Sequence, residues 1–407
     1  MSAARRGRVL AAFRIRSFRF QWSADLLTSW AFEMETLILG WYVLVATDSV
    51  FLLTAFGSLQ FAGTLLSPFV GMLADRVSRR SLLIALRVAY AGCAWTLTAL
   101  AVSGLLATWH VFAIALLAGL LRPSDLVLRN ALVADTVPQE QLANAMGLSR
   151  TTMDSARIVG TLVGAGLFST IGFGPAYVFV TAFYLASVTL TRGVAAGTAR
   201  RAGGAWAELQ LGMRYVRDTP AVAGLMCFAF LVNLTAFPFS HGMLPYVAKD
   251  IYGTDANGLA QLMAAYAVGA LAGSLGLAWS GRTAQATRIV IAGIYAWYLL
   301  LLVFAFSGSK TMGIAVLVGV GLVQSLSMIS MAIALLMITS IELRGRVMGL
   351  RMLAVYGLPL GLLAGGALIE RIGFTAQAML YALSGLALTT LITLRWREVL
   401  WRRGPGA

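Results

Sequence analysis

The run DLLTSWAFEMETLILGWYVLV, residues 25–45, is long and mostly apolar, yet it carries two carboxylates, Glu33 and Glu35, near its middle. A bilayer core of roughly 30 Å takes about 20 apolar residues of helix. A helix also satisfies its own backbone polar groups in lipid. The run therefore predicts a transmembrane helix that holds acids at depth.

The rest of the chain repeats this pattern. Of its 407 residues, 59% are hydrophobic and only 12% are charged, about half the charged fraction of a soluble domain. The chain contains twelve long apolar runs, which predict an all-α integral membrane protein with twelve transmembrane helices. They lie at about 22–46, 50–74, 81–106, 109–131, 144–171, 174–192, 220–246, 257–279, 286–307, 311–338, 346–369 and 375–396.

The net charge of +15 follows the topology of such a protein. Arginines cluster before the first run, after the second and after the last, whereas the opposite side offers only Lys249, Lys310 and Arg371. By the positive-inside rule, both termini are cytoplasmic and the number of helices is even. The basic excess is therefore interpreted as a topology signal in a lipid bilayer, and no nucleic-acid partner is expected.

The sequence lacks the residue patterns that several classes of function require. Cys93 and Cys227 fall inside apolar runs, and His110 and His241 are isolated, so no metal site or disulfide framework is expected. No phosphate-binding GxxxxGK loop and no grouping of nucleophile, base and orienter occurs in the sequence. The chain is not expected to be an enzyme or to hold a cofactor.

A polar break and an internal repeat divide the chain. Residues 193–219 are the largest polar stretch and include an amphipathic segment from Trp206 to Arg217. The segment AMGLSRTTMDSARIVGTLVGAGLFSTIG from Ala145 resembles VMGLRMLAVYGLPLGLLAGGALIERIG from Val347. Both copies precede one further run, which predicts two parallel six-helix bundles, 1–192 and 220–407, joined by the linker 193–219.

Two motifs carry a family resemblance. GMLADRVSRR, Gly71 to Arg80, resembles the cytoplasmic loop signature of the major facilitator superfamily, except that Ser78 stands where glycine is usual. IELRGRVMGL, residues 341–350, and ELQLGMRYVRDTP, residues 208–220, are similar to the branch that includes macrolide-efflux and enterobactin-export proteins. The resemblance covers essentially the whole chain and implies the major facilitator fold.

The resemblance also implies a cytoplasmic latch that would not touch substrate. In the superfamily the loop aspartate packs against the start of the eleventh helix, which here implies Asp75 near Gly345 and Arg346, with Arg129 as a further partner. The latch residues are Gly71, Asp75, Arg76, Arg79, Arg80, Arg129, Gly345 and Arg346.

The fifth predicted helix departs from the pattern of the drug antiporters in this superfamily, which weakens the resemblance to antiporters. Drug antiporters of the superfamily have a Gly-Pro pair in the fifth helix, but here Thr161 follows Gly160. Gly160, Gly164 and Gly166 still predict close helix packing.

The two acids of the first helix need a reason, because charged groups at the bilayer centre cost on the order of 2.5–3.5 kcal/mol. Glu33 and Glu35 are about 200° apart on a helix, so one is expected to face the central cavity and the other a neighbouring helix. Burial favours the neutral form of a carboxyl, which suits one acid to carry protons, and Glu35 is the favoured carrier. Two alternatives stay open: both acids are structural, or the cavity acid binds a cationic substrate.

Further charges and polar groups are candidates for the site. Arg87, Arg122, Asp125, Asp154 and Arg157 make the first half the charged half, and Asp154 and Arg157 have the i,i+3 spacing of a helix pair. For Arg122 and Asp125 two roles stay open: a latch or structural role, and a role in coupling or anion binding. Trp41, Asn233, Phe237 and Gln324 are the expected substrate contacts.

These features predict a secondary transporter that works by alternating access, with proton-coupled export of an amphipathic small molecule such as a drug or a siderophore-like metabolite. One alternative is a proton symporter or facilitator for nutrient uptake, and another is a non-transporting membrane scaffold or sensor. The resemblance implies a monomer in a bacterial inner membrane.

Overall fold

The computed structural model describes residues 11–63, 78–195, 205–280, 285–340 and 343–400. Over these ranges the chain is a succession of helices. Contacts group the chain into two units. The first takes the residues up to Ala46 and Leu59–Gly203, and the second takes Thr47–Ser58 and the residues from Gly204 onward.

Within the described ranges, six α-helices precede the polar linker. They are α1 Arg16–Thr47, α2 Val50–Leu59, α3 Arg79–Val102, α4 Thr108–Thr136, α5 Gln139–Ile171 and α6 Phe173–Arg192. Each of the first six predicted runs coincides with one of them, and the second run is described only up to residue 63. Helix α7, Ala205–Asp218, lies within the predicted linker. The division into two six-helix bundles and a linker stays a prediction.

The remaining elements are helices of very different lengths. They are α8 Pro220–Thr235, α9 Phe237–His241, α10 Leu244–Tyr246, α11 Ala256–Ser280, α12 Ala286–Ala305, α13 Lys310–Ile338, α14 Arg344–Leu353, α15 Gly357–Ile372, α16 Phe374–Arg395 and α17 Arg397–Leu400.

Two predicted runs are not single helices. Run 220–246 breaks after Thr235 into α9 and α10, each with a proline, Pro238 or Pro245, in its first turn. Run 346–369 is interrupted by a 3-10 turn at Ala354–Tyr356. Proline lacks the N–H that would continue the preceding helix, which explains the breaks near Pro238 and Pro245.

Among the described residues, eight helices are long and apolar enough to cross a membrane, with Arg344–Ile372 counted as one. A ninth results if the bent pair formed by α7 and α8 is one span. Helices α1 and α5, which carry many of the charged side chains, are not among the eight. The total of twelve transmembrane helices stays a prediction.

Helix α5 packs directly on α1 in the first unit. A Cβ atom at Gly160 would lie 3.1 Å from Cβ of Glu33, and one at Gly164 would lie 3.0 Å from Cγ of Met34. At Gly166 nothing lies within 4 Å of that position. The predicted close packing is therefore present at two of the three glycines, and it fixes α1 beside α5.

In the second unit, the carboxylate of Glu370 on α15 caps the start of α2. Its Oε1 accepts a hydrogen bond of 2.7 Å from the Ser49 hydroxyl and one of 3.0 Å from the Phe51 amide. An acid at a helix N-terminus is stabilised by the unpaired amides there. These bonds attach the segment Thr47–Ser58 to α15.

Candidate functional site

One stripe of α1 faces α4. Asp25, Ser29, Phe32 and Thr36 follow a spacing of four, three and four residues, which keeps them on one side of a helix. Their contacts lie on α4, where the two arginines Arg122 and Arg129 are two helical turns apart. Arg129 meets Asp25 and Ser29, and Arg122 meets Phe32 and Thr36, so the two antiparallel helices touch at two charged levels along their length.

The first level is a buried ring of four charges. The carboxylate of Asp25 pairs with Arg87 and lies 3.6 Å from Nε of Arg129. Asp125 lies 2.5 Å from Nε of Arg129 and 3.9 Å from Nε of Arg87. Each acid thus touches both guanidinium groups, and Arg87 is 0% exposed. Paired charges of this kind lower the large cost of burial.

Polar neighbours hold this ring in place. Arg87 donates to the Thr191 hydroxyl on α6, and Arg129 donates to the Ser29 hydroxyl at 3.0 Å. Gln21 donates to the Arg129 carbonyl at 2.9 Å. The ring therefore ties α1, α3, α4 and α6 together, and sequence reasoning missed its central acid, Asp25.

The second level contains an arginine with neutral partners. Arg122 donates to Oε1 of Gln60 at 2.6 Å and to the Thr36 hydroxyl at 3.3 Å, and its guanidinium lies over the Phe32 ring. Helix α4 continues through Pro123. Within the described ranges no carboxylate lies within 4.0 Å of Arg122. Its charge is therefore oriented but not neutralised by contact.

Glu35 is held by two tyrosines of α6. The Tyr177 hydroxyl donates to Oε1 and the Tyr184 hydroxyl donates to Oε2, each at 2.8 Å. Both rings are fully buried. Of the residues that the structure describes, no lysine or arginine reaches within 4.0 Å of this carboxylate.

Glu33 has a different environment. Its Oε1 lies 3.8 Å from Nε of Arg157 on α5. Glu33 and Glu35 point in different directions on α1, because one approaches α5 and the other binds α6. That one of them faces the central cavity stays a prediction. Asp154 and Arg157 do not form the expected pair in the structure. Asp154 accepts a hydrogen bond of 3.3 Å from Arg150, one turn earlier on α5, and Arg157 lies near Glu33. Asp154 and Arg157 are also partly exposed rather than buried.

The expected substrate contacts are spread over both units. Trp41 lies on α1 and is partly buried. In the second unit, the buried Asn233 amide donates to the Ala229 carbonyl at 2.8 Å. Phe237 packs edge-on against Trp297, with ring centroids 4.9 Å apart. Gln324 on α13 is partly buried. Substrate contact by these residues stays a prediction.

The latch residues are only partly described. Gly71, Asp75 and Arg76 lie outside the described residues. Arg79 pairs with Asp135 at 2.7 Å, and Arg80 donates to the Val194 carbonyl at 2.9 Å.

The other latch candidates belong to separate surroundings. Arg129 is part of the buried ring. Gly345 and Arg346 lie in the first turn of α14, and a Cβ at Gly212 of α7 would lie 3.4 Å from Cβ of Arg346. The latch itself stays a prediction.

Sequence reasoning also missed Tyr177, Tyr184 and Gln60. A usable signal was present for the tyrosines, because a seven-residue spacing places both on one face of α6. The same seven-residue spacing separates Asp25 from Phe32 on α1 and Arg122 from Arg129 on α4.

A bundle of apolar helices with acids and arginines between them is typical of a multi-pass membrane transporter. The family model described as transmembrane secretion effector matches residues 8–402, and the chain belongs to this family.

Solved structures share the fold at low sequence identity. A POT family transporter in complex with 5-aminolevulinic acid is 10% identical with a TM-score of 0.73, over 94% of this chain and 96% of that one. The nucleoside transporter NupG is 15% identical with a TM-score of 0.71, over 93% and 99%. A bacterial homolog to the human lysosomal transporter Spinster is 16% identical with a TM-score of 0.63, over 94% and 95%. No curated protein matches the chain.

Proposed function

We propose that the protein is a secondary active transporter that exports an amphipathic small molecule in exchange for protons by alternating access. The observation that carries the proposal is Glu35, a carboxylate on α1 whose two hydrogen-bond donors are neutral hydroxyls. An ionisable residue inside a helix that is predicted to span the membrane is by default a candidate for function. The family description as a secretion effector supports the export direction.

The surroundings of the two acids divide their roles. Glu33 lies 3.8 Å from Nε of Arg157, so proton uptake by this acid would break an ion pair, which favours a structural role. Glu35 has no such contact and gains or loses a proton without breaking an ion pair. Glu35 is therefore the proton carrier, and Glu33 holds α1 against α5.

The residues proposed to contact substrate suit an amphipathic molecule. Trp41 and Phe237 offer aromatic surface, whereas Asn233 and Gln324 offer amide groups. Drugs and siderophore-like metabolites combine apolar and polar surface in this way. We expect a monomer in a bacterial inner membrane with both termini in the cytoplasm, and a place in the branch that resembles macrolide-efflux and enterobactin-export proteins.

The experiment uses inverted membrane vesicles with an imposed proton gradient that a pH-sensitive dye reports. Lipophilic cations, macrolides and siderophores are added to wild type, Glu35→Gln and Glu33→Gln. At least one compound should make the wild type dissipate the gradient, Glu35→Gln should not respond, and Glu33→Gln should respond wherever it folds.

Two results would count against the proposal. Equal dissipation by wild type and Glu35→Gln removes the acid from coupling. Dissipation that occurs only when proton and compound move in the same direction, seen by reversing the imposed gradient, indicates symport instead.

A further inference from the structure

We propose that Tyr177 and Tyr184 are positioning residues that set the proton affinity of Glu35 by stabilising its ionised form. The inference rests on the proposed function, because it concerns the acid that carries the proton. It assigns a role to two residues whose rings are buried and whose hydroxyls both bind this one carboxylate.

The geometry of α6 directs both hydroxyls to one carboxylate. Tyr177 and Tyr184 are seven residues apart, so they lie on the same face of the helix two turns from each other. Each hydroxyl takes a different oxygen of Glu35 at 2.8 Å. The carboxylate is thus held at both oxygens by one rigid helix.

Aromatic packing keeps the two rings in these positions. Tyr177 stacks on Phe173 with ring centroids 5.1 Å apart and an interplanar angle of 8°. Tyr184 packs on Tyr90 at 5.7 Å. Because both rings are buried, their hydroxyls have little freedom to find other partners.

Protonation of Glu35 conflicts with this arrangement. An ionised carboxylate only accepts hydrogen bonds, so both tyrosines donate to it. When a proton binds one oxygen, that oxygen becomes an O–H donor and a weaker acceptor, so the tyrosine opposite it either turns its own proton away and accepts or donates a weaker bond. One donated hydrogen bond is lost or weakened in a buried place, so the pair of hydroxyls favours the ionised form.

Four further ionisable groups lie near Glu35 and are distinct from the two tyrosines. Arg122 on α4 favours the ionised form by its charge, and Tyr90 and Cys93 on α3 are close enough to interact electrostatically with the acid. Glu33 is the neighbouring acid on α1. Arg122 is oriented by α1 and Gln60, so removal of a tyrosine hydroxyl leaves its position unchanged.

The test compares Tyr177→Phe and Tyr184→Phe with Tyr90→Phe as the matched control. The Tyr90 ring is buried in the same region, and its hydroxyl has no hydrogen-bond partner among the described residues. Purified protein is titrated while infrared difference spectra record the carbonyl band of a protonated carboxylic acid. The part of that band absent from Glu35→Gln reports Glu35 directly and needs no substrate.

We expect the midpoint pH of the Glu35 band to rise by about one unit in each of Tyr177→Phe and Tyr184→Phe, the effect of losing one hydrogen bond to a charged group. The midpoint of Tyr90→Phe should equal that of wild type. Each variant tests the inference separately, so a folding defect in one leaves the other decisive.

Unchanged midpoints in both variants, or an equal rise in Tyr90→Phe, overturn the inference and leave the proposed function intact. Failure of the proposed function looks different: the Glu35 band shifts as expected, but no compound couples to proton movement in vesicles. A wild type in which Glu35 never takes up a proton overturns both.

Discussion

Replacement of Asp25 by asparagine should destabilise the protein more than any exposed ion-pair substitution. Asn keeps the shape of Asp25 and removes its charge, which leaves Arg87 and Arg129 with Asp125 as their only acid in the ring. The ring changes from net zero to one positive charge, and Arg87 at its centre is 0% exposed.

The structure gives the size of this effect. The contact of 3.6 Å between Asp25 and Nε of Arg129 corresponds to about 5 kcal/mol of attraction at an effective dielectric constant of about 20. The Asn oxygen still accepts a hydrogen bond, which offsets part of the loss. Breaking a buried pair in this way costs about 3–5 kcal/mol.

The assay is the free energy of unfolding in mixed micelles, measured by titration with a denaturing detergent. Asp154→Asn is the control, because its partner Arg150 is 67% exposed and such pairs contribute about 0–1 kcal/mol. Asp25→Asn combined with Arg87→Gln should recover part of the loss, since the unpaired charge is then removed. An Asp25→Asn variant as stable as the control would refute the reasoning.

Three further predictions concern other parts of the chain. Gly164→Ala should cost about 1–3 kcal/mol through overpacking against α1, whereas Gly166→Ala, with open space around it, should cost nothing in the same assay. Arg122→Lys should lower proton-coupled transport in vesicles about tenfold, because lysine lacks the planar fork that makes both hydrogen bonds; wild-type rates would contradict this. Asp255→Ala should lose about 0.5–2 kcal/mol at the start of α11. The backbone amide of Gly258 lowers the pKa of Asp255 below 3.8, so this contribution is present above pH 3.8 and disappears as the pH falls through the lowered pKa; a pH-independent difference would contradict it.

The sequence predicted the helices well because their signal is local. Long apolar runs placed α1, α3, α4, α5 and α6 within a few residues of their observed bounds. The exception at α8 to α10 also has a local cause, since Pro238 breaks the run. Local hydropathy carries no information on which helices touch.

The site was predicted in part. The spacing of Glu33 and Glu35 fixed that they point in different directions, since rotation per residue is a property of any α-helix. The contacts of Glu33 with Arg157 and of Glu35 with Tyr177 and Tyr184 were not predictable, because the spacing within one helix does not tell which helices lie beside it. The pairing of Asp154 with Arg150 also departs from the spacing argument, because both i,i+3 and i,i+4 neighbours are within reach on a helix.

By itself the sequence determined that this chain is a bundle of apolar helices long enough to span a membrane, and it predicted acids within α1, because bilayer solvation acts on each helix separately. Only the tertiary structure decided that Tyr177 and Tyr184 hold Glu35 and that Asp25 completes the ring with Arg87 and Arg129. These contacts depend on how each helix is rotated and shifted against its neighbours. Rotation and shift are set by packing among residues more than sixty positions apart in the chain.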